Sequence, residues 1–119
     1  MIKRIFLSLF ALLTVSAFSQ DIVGTWETID DETGKAKSHV KVYKAKNGKF
    51  YGKVVKIMDP KKQDAKCTKC KGDKKDQPTM GMLIIEGLSP EDDGDYSGGT
   101  ITDPTKGKVY DCTIWVEDG

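Results

Sequence analysis

The sequence predicts an all-β protein, an antiparallel meander that curls into a small lipocalin-like barrel, and three observations carry that expectation. After residue 19 the chain holds seven Val and seven Ile against two Leu, Leu83 and Leu88; branched side chains lose rotamer freedom on a helix and sit well on a pleated sheet. Apolar and polar residues alternate over short runs, the period of a strand with one buried face. Turn dipeptides separate the runs, and Asn47-Gly48 is the strongest of them, because both central residues of a type I′ hairpin turn need positive φ.

The first extended segment covers residues 22–29 and carries Trp26; Gly34, in the polar stretch after it, can supply the positive φ that closes a hairpin. The second, 37–45, sets Val40 and Val42 on one face and His39, Lys41 and Tyr43 on the other, so His39 is expected in solvent. Asn47-Gly48 leads into the third, 49–58, where Val54, Val55 and Ile57 make both faces apolar and predict cover on both sides at that end. A loop over 59–79 then holds seven lysines, two cysteines and two prolines with no helical period. The fourth segment, 80–88, precedes an acidic turn at 90–95. The fifth, 96–102, contains Gly98-Gly99, which predicts a bulge or bend that lets the sheet curl. The sixth, 108–117, places Tyr110, Cys112, Ile114 and Val116 on one face and Asp111, Thr113 and Trp115 on the other. Asp118-Gly119 is another hairpin dipeptide, a turn with no strand after it, so the barrel is expected to be incomplete at the C-terminal end.

Residues 1–19 read as a signal peptide. Lys3 and Arg4 precede an apolar run, and Ala17 and Ser19 are the small residues a signal peptidase reads; the run is shorter than the roughly 20 residues a bilayer span needs. Residues 20–119 are then expected to form a single exported β domain, periplasmic or extracellular in a bacterium, that does not span the membrane once the signal is removed. Its cysteines meet an oxidising compartment. Without Lys3 and Arg4 the acids and bases balance within one charge, which argues against disorder driven by self-repulsion. The only arginine is Arg4, and base reading in nucleic acid depends on the guanidinium fork, so no nucleic-acid partner is expected.

Gly24-Thr25-Trp26 looks like the glycine-any-tryptophan signature of lipocalin-like barrels, and a longer series supports it. The run from Gly24 to Asp31, with Val42-Tyr43, Asn47-Gly48-Lys49, Tyr51-Gly52-Lys53-Val54, Cys67, Cys70, Gly72, Pro78, Gly81-Met82, Gly98-Gly99, Asp103-Pro104, Gly107-Lys108, Tyr110, Cys112 and Trp115, resembles the bacterial exported family known as domain of unknown function 2147. The resemblance implies a small lipocalin-like barrel with Gly24 and Trp26 as its signature and no established activity. It also implies a further strand beyond Gly119, bearing an arginine of the kind that packs across the signature tryptophan.

Cys67-Thr68-Lys69-Cys70 admits three chemistries. A zinc knuckle has the right spacing, but a closed site needs four ligands, and the other soft donors are Cys112 and His39. A redox motif normally opens a helix, and nothing helical comes after Cys70. A disulfide between Cys67 and Cys70 that stiffens the loop, with Cys112 a buried thiol, is the plainest arrangement. The acidic runs 30–32 and 91–95 lack the spacing of a calcium loop. One imidazole, His39, leaves most acid–base and nucleophile arrangements without a partner. No cofactor is indicated, and the function expected is non-enzymatic binding of a small apolar or amphipathic ligand; the alternatives are an envelope protein or polymer interaction module and a Cys67/Cys70 thiol or zinc site.

Overall fold

The computed structural model describes residues 3–6 and 22–116. Seven strands make one sheet in chain order: β1 Lys3–Phe6, β2 Gly24–Ile29, β3 Ala36–Lys44, β4 Phe50–Ile57, β5 Leu83–Pro90, β6 Tyr96–Asp103 and β7 Lys108–Ile114. From β2 to β7 every neighbouring pair is antiparallel, so six strands form the meander. It curls into a half-barrel, and among the described residues no ladder joins β7 back to the first strands. The backbone of β1 runs parallel to β2, with Lys3 opposite Trp26. The apolar run and cleavage-site residues of the expected signal, and the Asp118-Gly119 dipeptide, lie outside the described residues.

The curl comes from breaks in the ladder. Strict alternation cannot bury both Val54 and Ile57, three residues apart; Val55 is an extra residue between the His39–Lys56 and Val40–Val54 pairs, and it turns out with Lys56. Val55 is therefore exposed, and the expectation of cover on both faces at the end of β4 fails there. Lys37 on β3 and Ile84 on β5 are extra residues of the same kind. On β6 the bulge falls at Gly98, whose φ of +79° only glycine adopts freely. Next to it Gly99 approaches β5 so closely that a Cβ would stand 2.8 Å from the Leu88 nitrogen and on the Glu86 carbonyl.

The concave side buries Trp26, Val40, Val42, Val54, Ile85 and Leu88 in one cluster. Phe50 meets Tyr96 edge-on, with ring centroids 5.0 Å apart. On the other side of β2 and β3, His39 is half-buried and its Nε2 lies 3.4 Å from Glu27 Oε2. The expectation that His39 would sit free in solvent is corrected by this cross-strand carboxylate, one of the few acids on a face rich in lysine. The fourth segment begins at Leu83 rather than at residue 80, because Met80 and Gly81 still belong to the preceding turn.

The long segment between β4 and β5 has only two 3-10 turns, Pro60–Lys62 and Gly72–Lys74, and a single bridge between Lys66 and Pro78. It folds back on the sheet: Lys74 Nζ reaches Glu86 Oε2 at 3.0 Å, and the Lys69 carbonyl packs where a side chain at Gly107 would be. Gly107, with φ +69°, thus has two reasons to be glycine.

The corner at Gly99 is the place where a single added carbon should do most harm. Gly99→Ala is expected to lower unfolding free energy by about 1–3 kcal/mol through overpacking against β5, whereas Val55→Thr on the bulge should change it by less than about 0.5 kcal/mol; urea denaturation of the two variants beside the parent checks both.

Candidate functional site

Three connections gather at one end of the half-barrel: the β2–β3 turn, the long β4–β5 loop and the β6–β7 turn. Between them lies a cavity of about 410 Å³, within the range of small-molecule sites. The strands supply its floor, with Val54 and Ile57 from β4 and Ile84 from β5. The loop supplies one wall through Ala65, Lys66, Thr68 and Thr79.

Three hydroxyl-bearing residues of the strands line it as well. Thr28 Oγ1 and Ser38 Oγ are 2.7 Å apart across the β2–β3 ladder, and both residues share the inward parity of Trp26 and Val40. Thr102, at the end of β6, is 3% exposed, and its Oγ1 has no hydrogen-bond partner. A buried hydroxyl left unmatched costs about 1–3 kcal/mol, and this oxygen is itself closed off from the cavity that the residue lines.

The rim is charged. Lys35, Lys37, Lys62 and Lys66 line it together with Asp30, Asp59 and Asp103. Each aspartate is turned to its own backbone: Asp30 Oδ1 accepts from the Glu32 and Thr33 amides at 2.8 and 3.3 Å, Asp59 Oδ1 from Lys61 at 2.9 Å, and Asp103 Oδ1 from Thr105 and Lys106 at 2.9 and 3.3 Å. The two amides hold the Asp30 carboxyl below its ordinary range, and the charges of Lys37 and Lys62 add to this after a small opposing effect of burial. No ion pair joins any of the four lysines to a carboxylate among the described residues.

The residues singled out in the sequence lie around this cavity rather than in it. Cys67 and Cys70 are buried with their sulfurs at disulfide distance and their Cα atoms 5.3 Å apart. They flank Thr68, so the bond fixes the shape of the wall without facing the space. Cys112 on β7 is free and buried, and desolvation pushes its thiol up from 9.0 to about 12. Among the described residues no three His, Cys, Asp or Glu side chains cluster to hold a metal. Trp26 is buried in the core, where its indole N–H donates to the Ile22 carbonyl at 2.7 Å. Gly24, two residues before it, has φ +138°. Thr28, Ser38 and Thr102 were missed as site residues, though Thr28 and Ser38 stand two positions from Trp26 and Val40, where alternation already points them inward.

The chain is matched over residues 24–119 by the family described as "Uncharacterized protein conserved in bacteria (DUF2147)", and it belongs to that family. No curated protein and no solved structure matches it. No helix among the described residues is long and apolar enough to cross a membrane.

The Cys112 environment predicts silence toward alkylation. In the folded protein at pH 8, iodoacetamide should leave Cys112 unmodified, and unfolding without reductant should expose one reactive thiol, counted by mass spectrometry. Because the folded thiol holds its proton up to about 12 while an unfolded one releases it from 9.0, this group's contribution to stability is present below pH 9 and lost as pH rises through that window.

Proposed function

We propose that this member of the bacterial family is an exported binding protein that makes and breaks no bonds and holds a small amphipathic molecule in the cavity at the end of its half-barrel. The observation that supports the reading most is the pairing of an apolar floor, Val54, Ile57 and Ile84, with the hydroxyl-bearing residues Thr28, Ser38 and Thr102 around one space of about 410 Å³. Apolar walls with a few fixed polar groups are the usual make-up of a small-molecule site.

Export is supported by the order of Lys3, Arg4, an apolar run, Ala17 and Ser19, and it suits a loop whose wall is stiffened by Cys67 and Cys70. The non-enzymatic part is supported by where the reactive groups lie. His39, the single imidazole, faces Glu27 outside the cavity, and the Cys112 thiol is held protonated inside the core. The hydroxyls of the cavity therefore have no imidazole base beside them.

A second reading, contact with an envelope protein or polymer, is favoured by β7. Among the described residues it is an edge strand of the sheet, and Val109 on it is 60% exposed, so that edge offers backbone groups to an added strand. Crosslinking in the native envelope that traps a partner through residues 108–114 would favour this reading over ligand binding.

Thermal unfolding with a panel of medium-chain amphiphiles tests the leading reading. A ligand at a hundred times its Kd should stabilise the protein by about 2.7 kcal/mol, and Ala65→Phe, which fills the cavity from the loop, should abolish the shift while the protein still folds. A flat response across the panel from folded parent protein would reject ligand binding.

A further inference from the structure

We propose that the cavity selects an anionic amphiphile, its head group held at the mouth by the ammonium groups of Lys35, Lys37, Lys62 and Lys66 and its chain lying on Val54, Ile57 and Ile84. The inference rests on the cavity reading above and adds the sign of the ligand's charge and the location of its polar end.

The rim carries four lysines and three aspartates, and formal charge alone leaves it only slightly positive. Orientation decides the matter. All three aspartates direct an oxygen at backbone amides of their own turns, which fixes each carboxylate over its loop. Among the described residues the four lysines have no such partner, and they end in flexible stems that can converge on whatever enters the mouth. Lys35, Lys62 and Lys66 are exposed, and Lys37 is half-buried. A cationic head would meet four like charges here. A neutral one would gain hydrogen bonds but no charge pairing from them.

The two lysine-bearing elements are also tied together, since the Met58 amide at the start of the long segment donates to the Lys37 carbonyl at 2.9 Å. Lys62 and Lys66 belong to the segment that contains the Cys67–Cys70 pair and docks on Gly107, while Lys35 and Lys37 flank the β2–β3 turn. Charges mounted on linked walls are positioned before the ligand arrives, which lowers the ordering cost of binding. Thr102 supplies the remaining polar contact: a change of χ1 rotamer would carry its unmatched hydroxyl out of its buried position and bring an O–H donor to the wall for a head-group oxygen.

Calorimetry with decanoate, decyl phosphate, decanol and decyltrimethylammonium separates the possibilities on the full chain. At least one of the two anions should bind about tenfold more tightly than decanol, weaken as salt is raised, and leave the cation without measurable binding; the tighter anion identifies the head group as carboxylate or phosphate. Lys37→Gln combined with Lys62→Gln should remove that advantage while decanol binds as before, which a folding defect would not do. Thr102→Val should weaken the preferred anion severalfold without loss of thermal stability. Equal affinity for decanol and both anions would overturn the charge preference and leave the cavity reading standing, whereas no binding by any of the four would reject both. Unchanged anion affinity in Thr102→Val would remove the hydroxyl from the site.

Discussion

A meander of six short strands can enclose a core only if it bends, and bending an antiparallel ladder means breaking its register. This chain does so at Lys37, Val55, Ile84 and Gly98, and once more on β5 between Ile85 and Leu88. Each inserted residue adds local twist and rotates the residues beyond it relative to the strict two-residue period. The sharpest corner is where Gly87 and Gly98, both with positive φ, sit on neighbouring strands and Gly99 lets the two backbones close. Without that approach β6 and β7 would continue as a flat ribbon, and Cys112 and Ile114 would have no concave side to pack into.

The same bends determine where the cavity forms. Three of the five extra residues, Lys37, Val55 and Ile84, stand near the end of the sheet where the long loop returns. Strands that splay there leave a gap too wide for the side chains of Val54, Ile57 and Ile84 to fill. The loop covers the gap but does not occupy it, because its own contacts face elsewhere: Cys67 and Cys70 inward on each other, Lys69 against Gly107, and Lys74 toward Glu86. A small domain with a thin core would normally collapse onto such a gap. Here the disulfide pair and the glycine contact hold the covering segment at a distance from the floor.

Much of this was legible in the residues. The six strands of the meander fall within three residues of where alternation and turn chemistry place them, since Asn47-Gly48 and the glycine turns are local signals that tertiary contacts do not override. The bend at Gly98 was legible for the same reason. The bulge at Val55 was not, because two adjacent valines read as a strand buried on both faces, and only the register with β3 shows that one of them has been pushed out. The exposure of His39 was misjudged because its partner, Glu27, is twelve residues away and becomes a neighbour only through pairing. The site was the least legible part. Sequence reading looks for reactive side chains, and it stopped at Cys67 and Cys70, whereas Thr102 gains its significance from burial without a partner, a property that no single strand displays.

The division of labour among the charged residues comes from side-chain length. Aspartate is short enough to bond to the amide two residues ahead, and Asp30, Asp59 and Asp103 do so at the starts of the connections that surround the cavity. Lysine is too long and too well hydrated for that role, so its ammonium projects beyond the turn. A rim assembled from Asx turns therefore separates its charges by depth, with negative charge fixed against the backbone and positive charge carried outward on mobile stems. Such a rim presents a positive potential to anything approaching from solvent even when its formal charges nearly cancel. The turn chemistry that closes these connections and the electrostatics of the cavity mouth thus have one origin in the choice of aspartate and lysine at those positions.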